Sequence, residues 1–218
     1  KSSKVITFKA NDLAAQSLDL TVAALGGSGE LGPDWPRKTA IVGAGNIGTK
    51  FALKLVERGR HVWLYRRDSD RLVIAARAIN EIKPDWTLAA AYPASSPEEC
   101  VVGADLVVGL SNGQPSISVD MVASAAPSAV FIDGGKGTFA PEAVELIREL
   151  NGRFLRTDIQ IVIGSLIDSL LGAQKAVGRS MVRRVIDGIP VVGAGVFAYE
   201  GEIVVDSGDE PRNVFGIS

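Results

Sequence analysis

The stretch Gly43-Ala44-Gly45-Asn46-Ile47-Gly48 decides the fold, because it directly follows the β-branched run Thr39–Val42 and opens an amphipathic segment. Its spacing is G-x-G-x-x-G at a turn from strand to helix, the context in which that pattern predicts dinucleotide binding. Gly43 permits the tight turn, Gly45 lets the backbone approach a pyrophosphate, and Gly48 lets the helix pack closely on the sheet.

Outward from this turn, short β-branched runs alternate with amphipathic stretches, as in the βα units of a parallel sheet. Six runs are candidate strands: Thr39–Val42, His61–Tyr65, a weak run at Thr87–Ala91, Asp105–Leu110, Ala129–Asp133 and Phe154–Arg156. Helices are predicted over Asn46–Arg58, Ser69–Ile82, a short segment opened by Ser96-Pro97, Ser118–Ala125 and Pro141–Leu150. The fold class is therefore α/β, a Rossmann-type doubly wound parallel sheet with helical N- and C-terminal flanks.

The flanks divide the chain into three expected regions. They are an N-terminal strand-helix flank over residues 1–36, the Rossmann domain over 37–158, and a C-terminal bridging helix and hairpin over 159–218. The first flank contains a candidate strand, Val5–Phe8, and an apolar helix, Leu13–Leu25. The last contains a long helix from about Ile159 to Gly178, an interruption at Pro190, and a hairpin that pairs Val196–Tyr199 with Ile203–Val205.

The end of the second strand indicates which dinucleotide binds. The N–H groups of Asn46 and Ile47, at the start of the helix, are expected to hold the phosphates. An acid after the second strand is typical of NAD sites, whereas an arginine there accommodates the 2′-phosphate of NADP. Here Arg66 and Arg67 follow the strand, with Arg71 close by, so the sequence favours NADP, and NAD is less favoured.

Two later loops should face the nicotinamide end of the cleft, because ligands in such sheets bind outside the carboxyl ends of the strands. Ser111 and Asn112 follow the fourth strand, and Lys136 lies among three glycines after the fifth. Lys136 is either a functional amine or a turn residue.

Composition excludes several function classes. The formal net charge of −2 leaves no basic field for nucleic acid or an anionic membrane, so neither is an expected partner. Cys100 and His61 are the single cysteine and histidine, which excludes an internal disulfide and a zinc site and leaves no metal site expected. A core role is favoured for Cys100, and a capping or core role for His61. No basic segment followed by an apolar run opens the chain, so a cytoplasmic location is expected.

Several short stretches resemble a known family. They are Phe8-Lys9-Ala10-Asn11-Asp12, Arg66-Arg67, the series Asp133, Thr138 and Gly152, and Leu170-Leu171-Gly172-Ala173-Gln174-Lys175-Ala176. Over residues 8–178 the chain is similar to the C-terminal two-thirds of shikimate/quinate dehydrogenases. Methylene-tetrahydrofolate and methylene-tetrahydromethanopterin dehydrogenases and glutamyl-tRNA reductases share the layout.

The resemblance implies roles for three residues. Asp12 stands where the family has a catalytic acid/base partner, and Asn11 and Gln174 stand at substrate-binding positions. From the residues alone, Asp12 can equally cap the helix Leu13–Leu25, and Gln174 can lie on a solvated helix face. The family's catalytic lysine belongs to an N-terminal substrate domain, so either a missing domain of that kind or a homo-oligomer is expected to complete the substrate site.

These observations predict an NADP-dependent oxidoreductase, a dehydrogenase or reductase, or the cofactor-binding part of one. It would transfer a hydride between nicotinamide and a small polar substrate, with Asp12 and Lys136 relaying a proton or holding that substrate. The alternative is a non-catalytic dinucleotide-binding module with a regulatory role.

Overall fold

The computed structural model describes residues 8–208 and 210–218, with the backbone alone at residue 161. The chain divides into two compact units, one that ends at Val162 and another that runs from Ile163 to Ser218. The boundary falls inside the helix α7, Gln160–Ser180.

Six parallel strands form the sheet of the first unit. They are β1 Lys38–Val42, β2 His61–Tyr65, β3 Ala91–Pro93, β4 Leu106–Gly109, β5 Val130–Asp133 and β6 Arg153–Arg156. Their spatial order is β3-β2-β1-β4-β5-β6, which confirms the predicted Rossmann-type α/β class. The order reverses between β1 and β4, where Thr39 lies opposite Leu106. Ligands bind at such a switch point.

Six helices accompany these strands within the first unit. They are α1 Ala10–Gly27, α2 Asn46–Glu57, α3 Ser69–Ile82, α4 Pro97–Val101, α5 Val119–Ser124 and α6 Pro141–Glu149. The predicted start of α4 is confirmed: the Ser96 hydroxyl accepts the Glu99 N–H at 3.1 Å, and Pro97 is the first helical residue. Asp68 caps α3 by accepting the Arg71 N–H at 3.0 Å.

Helices cover both faces of the sheet, because successive residues of a strand point to opposite sides. On one face Ile41 packs in a core with Leu18 of α1 and Phe51 of α2, all buried. On the other, Val42 and Phe131 join a core formed with α4, α5 and α6. Burial on both faces explains the near-continuous apolar runs of the strands.

The third strand lies further along the chain than the predicted run Thr87–Ala91. β3 begins at Ala91 and pairs with the segment Val62–Leu64 of β2. The Thr87 hydroxyl instead donates to the carbonyl of Val56 at 3.0 Å and accepts the Ala89 N–H at 3.2 Å. These side-chain bonds hold the chain in irregular structure before Ala91.

The N-terminal helix is longer than the predicted segment Leu13–Leu25. α1 begins at Ala10 with Lys9 as its N-cap residue, so the prediction that Asp12 caps the helix is wrong. Asp12 lies in the first turn, where a negative charge opposes the helix dipole. The predicted strand Val5–Phe8 lies outside the described residues except for Phe8, which is in no strand.

The second unit contains most of α7 and a four-stranded sheet. Its strands, β7 Arg183–Ile186, β8 Ile189–Gly193, β9 Ile203–Val205 and β10 Val214–Ile217, lie in the order β10-β9-β8-β7. In the part of the chain that the structure describes, no helix has the length and apolar character needed to cross a membrane.

The predicted hairpin of Val196–Tyr199 with Ile203–Val205 is wrong. The hairpin joins β7 to β8 through Asp187 and Gly188, whose φ angles of +51° and +84° suit a two-residue turn. Pro190 lies within β8 and does not interrupt it. Val196–Tyr199 forms no strand, and the Tyr199 N–H donates to the Glu202 carboxylate at 2.7 Å.

Candidate functional site

A cavity of about 510 Å³, the outer cavity, opens at the carboxyl ends of β1 and β2. Three chain segments line it: Val42, Gly43 and Gly45 at the end of β1; Tyr65–Asp68 at the end of β2; and residues 110–112 and 114–116 after β4. All of them belong to the first unit. The cavity therefore lies at the switch point of the sheet, where an open α/β fold binds its ligand.

The first two glycines of the motif serve different needs. Gly43 has φ +99°, and a Cβ there would lie 2.6 Å from the carbonyl carbon of Leu110, so the fold itself requires glycine. Gly45 has φ −83°, and a Cβ there would meet only the Gly43 carbonyl oxygen, at 3.9 Å. Nothing within the described protein requires glycine at residue 45. The absence of its side chain widens the cavity where a ligand would approach the backbone.

The start of α2, which directly follows the cavity residue Gly45, carries unpaired donors. Gly45 is the N-cap residue and makes no side-chain capping bond, and the N–H groups of Asn46 and Ile47 have no acceptor among the described residues. Unpaired N–H groups at a helix start, together with the helix dipole, favour an anion. Gly48 packs against Ile41, because a Cβ at residue 48 would lie 3.2 Å from the Ile41 Cγ2.

Two guanidinium groups lie on the wall formed after β2. Arg66 is half-buried and Arg67 is exposed, and both line the outer cavity. Within the described residues neither has an ion-pair partner. Asp68 lines the same wall but pairs with Arg71, 3.4 Å away. Arg71 itself does not line the cavity, and its predicted part in cofactor binding stays a prediction.

A second cavity of about 350 Å³, the inner cavity, lies beside the first and shares Leu110 and Asn112 with it. It is built over the second half of the sheet: Leu110 follows β4, Gly134–Lys136 follow β5, and Thr157–Ile159 follow β6. Ile47 of α2 completes its floor, and five residues of α1 close it from another side, namely Ala10, Asn11, Ala14, Ser17 and Leu18.

The loop after β5 is organised by the Asp133 carboxylate, which is only 6% exposed. It accepts hydrogen bonds from the N–H groups of Gly135 (3.2 Å), Gly137 (2.6 Å) and Thr138 (3.4 Å), and from the Thr138 hydroxyl (3.0 Å). Four bonds occupy the acceptor sites of a carboxylate, so Asp133 anchors the loop. The loop holds Lys136 at φ +62°, a conformation that lysine rarely adopts.

The helix α1 is fixed against α2 by charged pairs. The Lys50 ammonium donates to the Asp12 carboxylate, and this hydrogen bond lowers the pKa of Asp12 below its ordinary value. Further along, Asp19 pairs with Arg58 at 2.8 Å. The Ser17 hydroxyl donates to the Asp158 carbonyl at 2.9 Å and so joins α1 to the segment after β6. These bonds hold α1 in place as one side of the inner cavity.

The structure brings most of the predicted site residues into the two cavities. The residues in the outer cavity are Gly43, Gly45, Arg66, Arg67, Ser111 and Asn112, and those in the inner cavity are Asn11, Ile47, Asn112 and Lys136. Asp12 lines neither cavity, and its catalytic role stays a prediction that this geometry does not support. Gln174 is exposed on α7 in the second unit, and its substrate-binding role also stays a prediction.

Sequence reasoning missed Ser17, Thr157 and Asp158 as cavity residues, and it missed the structural role of Asp133. Thr157 and Asp158 directly follow β6. The rule that singled out the loops after the fourth and fifth strands would have found them too. Ser17 carries no comparable sequence signal, because its position depends on how α1 packs.

Residues 38–123 match the model of a family described as NADP oxidoreductase, coenzyme F420-dependent. The matched range extends from β1 to α5 and contains the glycine turn, Arg66, Arg67 and the loop after β4. The first unit is an oxidoreductase-like NAD(P)-binding domain. The match does not reach α1 or the loop that carries Lys136. No protein of curated function matches the chain.

Solved structures share the fold of this NAD(P)-binding domain. A dipicolinate synthase chain from Bacillus halodurans superposes with a TM-score of 0.51 at 14% identity, over 76% of this chain and 56% of its own. A D-isomer specific 2-hydroxyacid dehydrogenase from Lactobacillus delbrueckii ssp. bulgaricus, in its NAD complex, gives 0.47 at 13% identity, over 69% and 49%. Shikimate 5-dehydrogenase from Thermus thermophilus, with NADP(H) and shikimate, gives 0.43 at 17% identity, over 64% and 49%.

At these identities the likeness is one of fold alone. The chain spans about half the length of the solved structures that it matches.

Cys100 and His61, the single cysteine and histidine, line neither cavity. Cys100 is fully buried, and burial raises the pKa of its thiol to about 12, so it is no nucleophile near neutral pH. His61 shares a hydrogen bond of 3.2 Å with the Tyr92 hydroxyl. Among the described residues no group of histidine, cysteine and acidic side chains could hold a metal ion.

Proposed function

We propose that the first unit binds NADP(H) and that the protein is a dehydrogenase or reductase acting on a small polar substrate. The observation that carries this proposal is the outer cavity, where an unobstructed Gly45 and two guanidiniums without ion-pair partners among the described residues line the same space. A pyrophosphate fits the unpaired N–H groups at the start of α2. A 2′-phosphate fits Arg66 and Arg67, because a guanidinium binds phosphate through two parallel hydrogen bonds.

The two cavities correspond to the two halves of a dinucleotide. In a doubly wound sheet each half, β1–β3 and β4–β6, takes one mononucleotide. The arginines after β2 assign the adenosine half to the outer cavity. The nicotinamide half is then assigned to the inner cavity, over the ends of β4, β5 and β6.

The residues of the inner cavity suit the reacting end of the site. A bound nicotinamide cofactor supplies hydride chemistry. The aliphatic side chains of Ile47, Leu110 and Ile159 give part of that space an apolar lining, against which a nicotinamide ring can pack. Asn112 and Lys136 stand at the same cavity as polar groups that can orient a substrate.

The test compares NADPH with NADH. The double variant Arg66→Gln/Arg67→Gln should raise the Kd for NADPH about tenfold or more for each charge-assisted bond lost, and leave the Kd for NADH unchanged. Binding is measured by cofactor fluorescence. Arg77→Gln is the matched control, because Arg77 is an exposed arginine of α3 outside both cavities.

Equal weakening of both cofactors would show that the arginines do not recognise the 2′-phosphate. Binding of neither cofactor by the wild-type chain would refute the proposal as a whole.

A further inference from the structure

We propose that the inner cavity binds the carboxylate of a small anionic substrate and that the Lys136 ammonium neutralises it. This inference rests on the proposed function, because it names the substrate class for the same site. Lys136, which has no ion-pair partner in the described chain, lines this cavity together with Asn11, Asn112 and several aliphatic residues.

The charge on Lys136 has no counter-charge from the described part of the protein. Within residues 8–208 and 210–218 no carboxylate lies at ion-pair distance from its Nζ atom. Asp133 already accepts four hydrogen bonds within the loop. Asp158 lines the cavity and accepts the Gln160 N–H at 3.2 Å. A ligand carboxylate can supply the counter-charge that these two acids do not.

The fold also holds Lys136 in an unfavourable backbone conformation. A lysine at φ +62° costs free energy that asparagine or glycine would largely avoid. The buried Asp133 holds that conformation, and with it the base of the Lys136 side chain, at the cavity. Gly113 lies close to this loop, since a Cβ at residue 113 would be 3.4 Å from the Lys136 carbonyl oxygen.

The other lining residues define the rest of the ligand. Asn11 of α1 and Asn112 after β4 offer amide donors and acceptors for a carboxylate or a hydroxyl group. Ala14, Leu18 and Ile159 leave space for an aliphatic body. With one lysine and one acid, Lys136 and Asp158, on its lining, the inner cavity suits a monoanion held by Lys136, whereas a phosphate dianion is better matched by the paired arginines of the outer cavity.

The experiment uses isobutyrate as the probe and isobutyramide as its neutral isostere. Each is titrated into the apo chain at ionic strength kept constant with KCl, because salt screens exposed charges. Backbone amide NMR shifts report binding at residue level and require no dinucleotide. Isobutyrate should give saturable shifts at Gly134–Thr138 and at the Asn11 and Asn112 side-chain amides, and isobutyramide should give none there.

Lys136→Asn is the decisive variant, because asparagine tolerates the left-handed backbone while it removes the charge. It should weaken isobutyrate about tenfold or more, whereas Lys136→Arg should retain binding within about threefold. Arg77→Asn removes a positive charge outside the cavity and should change nothing.

Equal titration of wild type and Lys136→Asn, equal shifts with isobutyramide, or no saturable shift at Gly134–Thr138 would each overturn the inference. Failure of the proposed function looks different. In that case NADPH would leave the amide signals of Gly45, Asn46 and Ile47 unmoved, whatever isobutyrate does.

Discussion

The glycine turn allows stability and cofactor binding to be changed separately. Gly45→Val should leave the fold nearly intact, because φ is −83° and no described protein atom lies closer than 3.9 Å to the new Cβ. Its cost in free energy of unfolding should stay within about 1 kcal/mol. Gly43→Ala should cost about 3 kcal/mol or more, because φ is +99° and the Leu110 carbonyl lies 2.6 Å from the Cβ.

For cofactor affinity we expect Gly45→Val, the variant with the smaller effect on stability, to have the large effect. A valine at residue 45 would take up space in the outer cavity immediately before Asn46 and Ile47 in the chain, whose N–H groups are the proposed phosphate donors and have no acceptor in the described chain. Loss of two charge-assisted hydrogen bonds removes about 3–6 kcal/mol of binding, so the Kd for NADPH should rise on the order of a hundredfold or more. Gly45→Ala should give a smaller loss with the same stability.

Two measurements on each variant separate these effects. Urea unfolding followed by tryptophan fluorescence reports the stability of the first unit, since Trp35, Trp63 and Trp86 all lie in it. NADPH fluorescence titration reports affinity. A folded Gly45→Val chain that binds NADPH as tightly as wild type would refute the assignment of the pyrophosphate to this turn.

Two further predictions concern buried groups of the same unit. Asp133→Asn should destabilise the first unit by about 3 kcal/mol, because an amide cannot accept all four hydrogen bonds, and Thr138→Val should destabilise it by about 1 kcal/mol. Equal urea midpoints for Asp133→Asn and wild type would contradict the anchoring role of Asp133. Burial raises the pKa of Cys100 from its ordinary value of 9.0 to about 12, so the unfolded chain loses the thiol proton at lower pH than the folded chain, and the free energy of unfolding should fall as pH rises from about 9 towards 12. A Cys100→Ala variant should lack that part of the fall. Rapid reaction of the native thiol with a disulfide reagent at pH 8 would contradict its burial.

The sequence was sufficient for the elements whose signals are local. The glycine turn, the cap residue Ser96, and the apolar runs of β1, β2 and β5 fix their own conformations through neighbouring residues. The outer cavity could be predicted for the same reason, because residues that directly follow a strand lie at the carboxyl edge of a parallel sheet, where the ligand binds.

The predictions that were wrong or missing concern elements whose positions depend on residues distant in the sequence. β3 forms at Ala91 because Thr87 bonds to Val56, which lies 31 residues earlier. In the second unit β9 pairs with β8 and β10, whereas the sequence alone favours a neighbouring segment as its partner. The contribution of α1 to the inner cavity depends likewise on its pairs with α2, and no pattern within α1 indicates them.

The wall that separates the two cavities has consequences for binding order. Leu110 and Asn112 belong to both cavities, and the Leu110 backbone is pressed between Gly43 and Gly135. A ligand that shifts this partition from one side alters the space on the other, and such linkage is reciprocal in free energy. Ligands in the two cavities should therefore change each other's affinity by the same factor, through the space that Leu110 and Asn112 share out between them.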